Sequence, residues 1–237
     1  ALLGAAPALA LNVGTYEMCD GQGEPWQDAP ILAAGDTPVP LTDLSLADTA
    51  GVDVIFVTNC DNGNYGAEFL SRVADIATAV ASGKVLVIHD RYVDPAETIL
   101  PGGSTFDIQR FTTQFGTESV DIDVLDTSTP ITNGITDTTL DGGNHSSHGF
   151  AVAGTLPGDA KLVLSTNIHT HIVTFVYTYG SGAVIYSSIP LDYYLQNFGS
   201  PAVNAAMNLY AGNVVEYAEQ LAENASCGNG VVDIGEQ

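Results

Sequence analysis

Positive charge is what this sequence has least of. Lysine and arginine together number 5, against 28 aspartates and glutamates, which gives a formal net charge of −23 at pH 7. Nucleic acids and anionic membrane surfaces recruit proteins through clustered cations, so the scarcity of basic residues argues against both as partners. It fits a solvated acidic surface that keeps an extracellular protein soluble, or one that meets Ca²⁺, whose preferred ligands are oxygens.

The sequence also lacks long hydrophobic runs. No stretch reaches the roughly 18 consecutive apolar residues that mark a membrane-spanning helix, so no membrane span is predicted. Residues 1–10, ALLGAAPALA, are apolar and end in the A-x-A form of a signal-peptidase site. This segment is expected to be either a signal-peptide remnant or a retained N-terminal strand extension.

Cysteine is scarce as well, with Cys19, Cys60 and Cys227. Because Cys19 and Cys60 each follow a predicted strand by a few residues, we predict a disulfide between them, which requires an oxidising compartment. An odd count in a secreted chain indicates a missing partner. Residues 227–237, CGNGVVDIGEQ, closely resemble the opening of the extracellular cysteine-rich repeats found in myxobacterial and related proteins. Residues 223–237 are therefore interpreted as a linker and a truncated repeat, and the protein as secreted or on the cell surface.

A β-α-β pattern is the clearest feature that the sequence does contain. Residues 53–58 form a continuous apolar run, as in a strand covered on both faces. Residues 65–82 repeat apolar side chains at intervals of three and four, and Gly83 suits the end of that helix. Residues 85–88 form a second buried run. This spacing predicts two parallel strands joined by a right-handed crossover.

The other elements are predicted more locally. Residues 180–182, Gly-Ser-Gly, join two β-rich runs and predict an antiparallel hairpin. Prolines in residues 37–41 predict a strand near a sheet edge. The remaining strands are predicted at 9–16, 121–125, 150–152, 162–166, 172–179 and 183–189, short helical turns at 30–34 and 44–50, and helices at 106–115 and 203–221.

Five motifs occur in a consistent order along the chain: AGDTPV at 34–39, VDVIFVT at 52–58, GKVLVIH at 83–89, TPITNGI at 129–135 and YGSGAVIY at 179–186. This ordered set resembles the glutamine-amidotransferase-like, flavodoxin-like superfamily, and more closely its trehalose-utilisation (ThuA-like) branch, as carried in large secreted bacterial surface proteins. The resemblance implies one domain at 11–222. Its expected fold is α/β: a doubly wound, mostly parallel flavodoxin-like sheet with helices on both faces and a C-terminal antiparallel hairpin.

The chain departs from that superfamily at one critical turn. Active amidotransferases place a nucleophilic cysteine after the strand that here ends at His89, and a His-Glu pair late in the chain. Here the turn reads His89-Asp90-Arg91, and Pro190-Leu191-Asp192 stands where the late pair is expected. Glutaminase activity is therefore predicted to be absent.

The same turn supplies the main candidate site, since ligands of such sheets bind beyond the carboxyl ends of the strands, where the strand order reverses. His89, Asp90 and Arg91 are candidate acid/base residues. With Asn59 and Asp192 they are also candidate ligand-binding residues, for a carboxylate or a sugar. The alternative is a hydrogen-bonded cluster that pins the loop.

Four further histidines have more than one possible role. His145 and His148, in a loop rich in glycine and serine, could hold Zn²⁺ together with His169, His171 or Asp192, or they could be part of a solvated polar loop. His169 and His171 are predicted to alternate on a strand and to face one side of it. No cofactor is predicted, with Zn²⁺ or Ca²⁺ as the alternative.

The tyrosines at 193 and 194 could stack on a sugar or pack in the core.

Three functions are compatible with these patterns. The first is a secreted or cell-surface structural or adhesive module without glutaminase chemistry, which binds a small ligand or sugar at the switch point. The second is a carbohydrate-active or metal-dependent enzyme that uses His89 and Asp90 with His145 and His148. The third is self-assembly through residues 1–10, paired with a neighbour's sheet edge. The predicted partners are thus extracellular or cell-surface components, including further copies of the chain.

Deletion of residues 1–10 tests self-assembly. If this segment pairs with a neighbouring sheet edge, its removal lowers the mass measured by light scattering to that of a monomer. An unchanged oligomeric state would reject this hypothesis.

Overall fold

The computed structural model describes residues 10–112, 116–143 and 145–227. They form a ten-stranded mixed sheet with helices on both of its faces. The strands are β1 (Asn12–Glu17), β2 (Thr37–Pro40), β3 (Val54–Thr58), β4 (Val85–His89), β5 (Ile108–Arg110), β6 (Asp123–Val124), β7 (Gly149–Val152), β8 (Lys161–Ser165), β9 (His171–Tyr179) and β10 (Gly182–Ser187). The α-helices are α1 (Asp28–Ala34), α2 (Ala67–Ala81), α3 (Leu191–Leu195) and α4 (Pro201–Cys227).

Strand order confirms the predicted α/β class. The main path runs β2-β1-β3-β4-β10-β9-β7-β5, with β8 paired to β9 and β6 paired to β8. Strands β2, β1, β3, β4 and β10 are parallel, and the β9–β10 hairpin is antiparallel as predicted. Strands β5 to β8 extend the antiparallel part beyond this hairpin. The proline-containing β2 lies at an edge, where its missing N–H groups disrupt no ladder.

The central strands are covered on both faces, as their continuous apolar sequences predicted. Val54 and Phe56 of β3 pack in the core beneath α1 and α4, whereas Ile55 and Val57 pack in the core beneath α2. Successive side chains of a strand point to opposite faces, so a strand buried on both sides must be apolar at every position. No helix of the described residues is long and apolar enough to cross a membrane.

One predicted helix is wrong. Residues 106–115 were expected to be helical, but Ile108–Arg110 form β5, which pairs antiparallel with β7, while 113–115 lie outside the described residues. Phe106 packs edge-on against Phe175 and Tyr177 of β9. Sheet pairing and these aromatic contacts come from distant parts of the chain, and they override the local helical pattern.

Two smaller predictions also need correction. His169 and His171 do not alternate on one strand, because β9 begins at His171 and His169 lies in the preceding turn. The final helix is longer than predicted and continues to Cys227, into the segment interpreted as a linker. Residues 1–9 and 228–237, which hold most of the signal-like segment and of the repeat-like end, lie outside the described residues.

The disulfide between Cys19 and Cys60 is present and joins the segments that follow β1 and β3. The two Cα atoms are 6.1 Å apart, across a sequence separation of 41 residues. The buried carboxyl group of Glu17 lies beside it and accepts hydrogen bonds from the backbone N–H groups of Cys19 (3.3 Å) and Cys60 (3.0 Å). The cross-link therefore ties together two strand ends at the carboxyl edge of the sheet.

Removing this cross-link should destabilise the fold. Closing a loop of this length restricts the unfolded chain, so Cys19→Ser/Cys60→Ser is expected to lower the free energy of unfolding by about 2–4 kcal/mol. Urea denaturation measures the change. Cys227→Ser is the control, since Cys227 takes no part in this bond. A double variant as stable as that control would contradict the prediction.

Candidate functional site

The candidate site lies where parallel strands β3, β4 and β10 end together. The loops after these strands are held by backbone hydrogen bonds: the N–H of Asn59 donates to the carbonyl of His89 (3.0 Å), and the N–H of Asp90 donates to the carbonyl of Ser187 (2.8 Å). The strand ends thus bring the tripeptide His89-Asp90-Arg91 next to residues from both neighbouring strands.

Asp90 is a fully buried anchor with four hydrogen-bond donors around it. Its Oδ1 accepts from Asn59 Nδ2 (3.1 Å) and the Tyr92 N–H (2.9 Å), and its Oδ2 accepts from the hydroxyls of Tyr65 (2.7 Å) and Tyr186 (3.2 Å). Burial raises the pKa of Asp90, while the hydrogen bonds from Tyr65 and Asn59 act in the opposite direction. With both oxygens engaged and no exposed surface, this carboxyl group holds the loop in place.

His89 is buried on the other face of the sheet. Its Nε2 lies 3.3 Å from the hydroxyl of Tyr210 on α4, and its ring packs against Phe56 and edge-on against Tyr210. Burial lowers the pKa of His89 to about 3, so the ring is neutral at pH 7. His89 therefore contributes to the core.

Arg91 is the one member of the tripeptide that reaches solvent, with a side chain 20% exposed. Its Nη1 donates to the carbonyl of Cys60 (2.9 Å) and to Asp192 Oδ2 (3.0 Å), and its Cζ lies 5.7 Å from the ring centroid of Tyr193. Burial raises the pKa of Asp192 to about 6, although the charge of Arg91 acts in the opposite direction. The structure thus brings the predicted pair Arg91 and Asp192 into contact at a cleft.

This cleft is the main pocket beside the tripeptide. Its cavity volume is about 80 Å³. Its described lining residues are Asn62, Arg91, His145, His148, Pro190, Tyr193 and Tyr194. A smaller hollow that also includes Arg110 and Ser119 shares the two histidines. The cleft lies beyond the carboxyl ends of β4 and β10, the edge of the sheet at which ligands of such folds bind. The strand order itself reverses between β1 and β3.

His145 and His148 form a contacting pair in the cleft, with ring centroids 5.2 Å apart. His148 Nδ1 lies 2.9 Å from the carbonyl oxygen of Arg91. A carbonyl can only accept, so Nδ1 donates and Nε2 carries the lone pair in the neutral ring. Burial, together with the charges of Arg91 and Arg110, lowers the pKa of His148 to about 3, although the hydrogen bond to the carbonyl of Arg91 acts in the opposite direction. Burial and the same two arginines also lower the pKa of His145.

The other two histidines pair elsewhere. His169 Nε2 lies 2.9 Å from Asp123 Oδ2 at an exposed position. His171 Nδ1 lies 2.5 Å from Glu118 Oε1, and its ring stacks on Phe150 with centroids 3.6 Å apart. The four histidines therefore divide into a cleft pair and two carboxylate-bound side chains.

One set of three ligand atoms close enough to share a metal ion occurs in the described part of the chain, and it consists of Glu17, Cys19 and Cys60. Both of its sulfurs are already joined in the disulfide. The predicted Zn²⁺ ligands His145, His148, His169, His171 and Asp192 are not gathered into such a set within the described residues.

Sequence reasoning missed two residues of this region, Arg110 and Asn62. Arg110 donates to the carbonyl oxygens of Asn62, Arg91 (3.2 Å) and Tyr92 (2.9 Å), and to Asn62 Oδ1 (3.3 Å). Arg110 could have been recognised as a candidate because it is one of only 5 basic residues in the chain. Because that segment was predicted to be a helix, the sequence did not place Arg110 beside the cleft.

The low pKa of His148 predicts a pH dependence that a variant can isolate. Below the ordinary histidine pKa of about 6.5 the unfolded chain binds a proton that the native chain excludes, so stability is lost as pH falls from about 6.5 towards 3. Between pH 7 and 4.5 the free energy of unfolding, measured by urea denaturation, should fall by about 2 kcal/mol more in the wild type than in His148→Gln. His169→Gln is the exposed control, and parallel pH profiles for His148→Gln and wild type would contradict the prediction.

Comparison with known proteins supports the fold alone. No family model and no curated protein matches the chain. A Thermoplasma acidophilum protein, provisionally assigned as one of the subunits of GMP synthase, is 13% identical with a TM-score of 0.50, over 87% of this chain and 95% of its own. A cytoplasmic protein from Salmonella typhimurium is also 13% identical, with a TM-score of 0.49, over 88% of this chain and 98% of its own. The chain therefore has an α/β fold similar to that of the Thermoplasma acidophilum protein.

Proposed function

We propose that this protein is a secreted or cell-surface module that binds a small polar ligand in the cleft beside Arg91 and has no glutaminase activity. One observation carries the proposal. The turn after β4, where amidotransferases keep a nucleophile, is occupied by Asp90, and both carboxylate oxygens of Asp90 are engaged in hydrogen bonds within the protein. The next residue, Arg91, lines an open cleft.

The chemistry of the cleft favours binding over proton transfer. A general base works best when its pKa lies near the operating pH. His148, with a pKa of about 3, is a weak base, and Asp192, with a pKa of about 6, is engaged by Arg91. Tyr193 adds a partly exposed aromatic ring, which is typical of sites that hold polar ligands by stacking. Tyr194 is buried, and its hydroxyl donates to the carbonyl of His145 (2.8 Å).

An extracellular location is supported by two independent properties of the chain. Disulfides persist mainly in oxidising compartments, and Cys19 and Cys60 are joined in this structure. The net charge of −23 disfavours binding to nucleic acid or to anionic membranes and favours solubility. In this setting the module would contact other surface components, including copies of itself.

The contact between His145 and His148 in the cleft favours a second candidate function, a carbohydrate-active or metal-dependent enzyme. His89 and Asp90 have no exposed surface, so such an enzyme would act through the cleft histidines. This activity would be lost in His148→Gln.

Ligand screening with one aromatic variant tests the main proposal. Small sugars and sugar acids are titrated calorimetrically against wild type and Tyr193→Ala, which removes a stacking surface of the cleft. Affinity should fall roughly threefold to tenfold, the effect of losing one aromatic contact of about 0.5–1.5 kcal/mol. Tyr179→Ala is the matched control, because Tyr179 lies at the turn of the β9–β10 hairpin, at the end of the sheet opposite the cleft.

Enzyme assays on the same samples separate the two candidates. Release of glutamate from glutamine should stay at background in the wild type. Glutamate release above background, or sugar hydrolysis that disappears in His148→Gln, would overturn the binding proposal. So would the failure of every ligand to bind.

A further inference from the structure

We propose that the ligand of this cleft is a sugar that carries one carboxylate group. This inference rests on the proposed function and adds the charge and the chemical class of the ligand. It starts from the concentration of positive charge at one place in a strongly acidic chain.

Two of the 5 basic residues meet at the cleft. Arg110 Nη1 donates to the backbone carbonyl of Arg91 (3.2 Å), and the two residues line adjoining hollows that share His145 and His148. A third arginine, Arg72, lies on α2 and is paired there with carboxylates. In a chain with 28 acidic residues, two neighbouring arginines make this cleft a local site for an anion.

Arg110 supplies a charge that no described carboxylate neutralises. All of its hydrogen bonds go to backbone carbonyls and to the amide oxygen of Asn62. Among the described residues, the salt bridges of the cleft consist of the one between Arg91 and Asp192. Because both cleft histidines are neutral, the charges of Arg91, Arg110 and Asp192 sum to +1 at neutral pH.

This net charge matches a monoanion. A carboxylate carries one negative charge, whereas inorganic phosphate carries between one and two at pH 7. The side chain of Arg91 is 20% exposed, so part of its guanidinium group faces the cleft. Charge-assisted hydrogen bonds from a guanidinium to a carboxylate are stronger than those between neutral groups.

The rest of the lining fits a sugar ring. Tyr194 is buried, whereas Tyr193 lies beside the guanidinium of Arg91 and presents a partly exposed aromatic surface to the cleft. Such surfaces pack against the C–H faces of a pyranose, while the unprotonated Nε2 of His148 accepts a hydrogen bond from a hydroxyl group. A sugar acid combines these features in one molecule.

Isothermal titration with glucuronate, glucose and inorganic phosphate tests this inference. Wild type should bind glucuronate at least tenfold more tightly than glucose, and phosphate more weakly than glucuronate. Arg110→Gln should lose at least tenfold in glucuronate affinity and lose the preference for glucuronate over glucose. Arg72→Gln changes the net charge equally but lies away from the cleft, so it should leave all affinities within twofold.

Arg110 also holds three carbonyl groups, so Arg110→Lys provides a second variant that keeps the charge. It should remain folded by thermal denaturation and retain the preference for glucuronate over glucose. Loss of this preference in a folded Arg110→Lys protein would overturn the inference that the charge is recognised.

The other outcomes are distinct. Equal affinity for glucose and glucuronate, with both weakened in Tyr193→Ala, would overturn the anion inference and leave the proposed function standing. If Arg110→Gln and Arg72→Gln lose the same amount of glucuronate affinity, the effect comes from the overall charge of the protein, and the inference is overturned. Tightest binding of phosphate would overturn the sugar class, and no binding of any small molecule would overturn both proposals.

Discussion

The buried carboxyl group of Asp90 is the constraint on which the site depends. Its partners come from four separate places: Asn59 after β3, Tyr65 before α2, Tyr92 in its own loop and Tyr186 on β10. A buried polar group without partners costs several kcal/mol, whereas a fully satisfied network makes a region rigid. Because these partners belong to different elements, their convergence on one side chain fixes the path of the loop after β4. It thereby fixes the direction in which Arg91 leaves the core.

The backbone of the same loop adopts an unfavourable conformation, which shows that the surrounding contacts hold it in place. Val93 has a φ of 69°, a left-handed conformation that is unfavourable for a β-branched residue. Such strain persists only where the surroundings impose it. The Val93 side chain is fully buried, and the N–H of the preceding residue, Tyr92, donates to Asp90 (2.9 Å). The turn is thus built around an internal acid, which leaves the neighbouring cleft, rather than the turn itself, to contact a ligand.

Electrostatics explains why the cleft differs from the rest of the molecule. A chain with a net charge of −23 repels anions over most of its surface. Arg91 and Arg110 reverse this locally, and the same charges help to keep the neighbouring imidazoles of His145 and His148 neutral. The two arginines, the two neutral imidazole rings and Tyr193 then form a surface that can accept one negative charge. The scarcity of basic residues makes their convergence informative.

Local sequence patterns were sufficient to predict the β-α-β unit at 53–88, the edge strand β2, the β9–β10 hairpin, and the disulfide between Cys19 and Cys60. Which side chains meet was decided by tertiary structure. His89 and Asp90 were candidates from their position, but packing buries both of them, and only Arg91 reaches the cleft. Arg110 joins that cleft because β5 pairs with β7 and places it opposite Gly149, next to His148. Helical periodicity reflects residues three or four positions apart, whereas the pairing of β5 with β7 joins segments about forty residues apart. A local pattern therefore could not predict it.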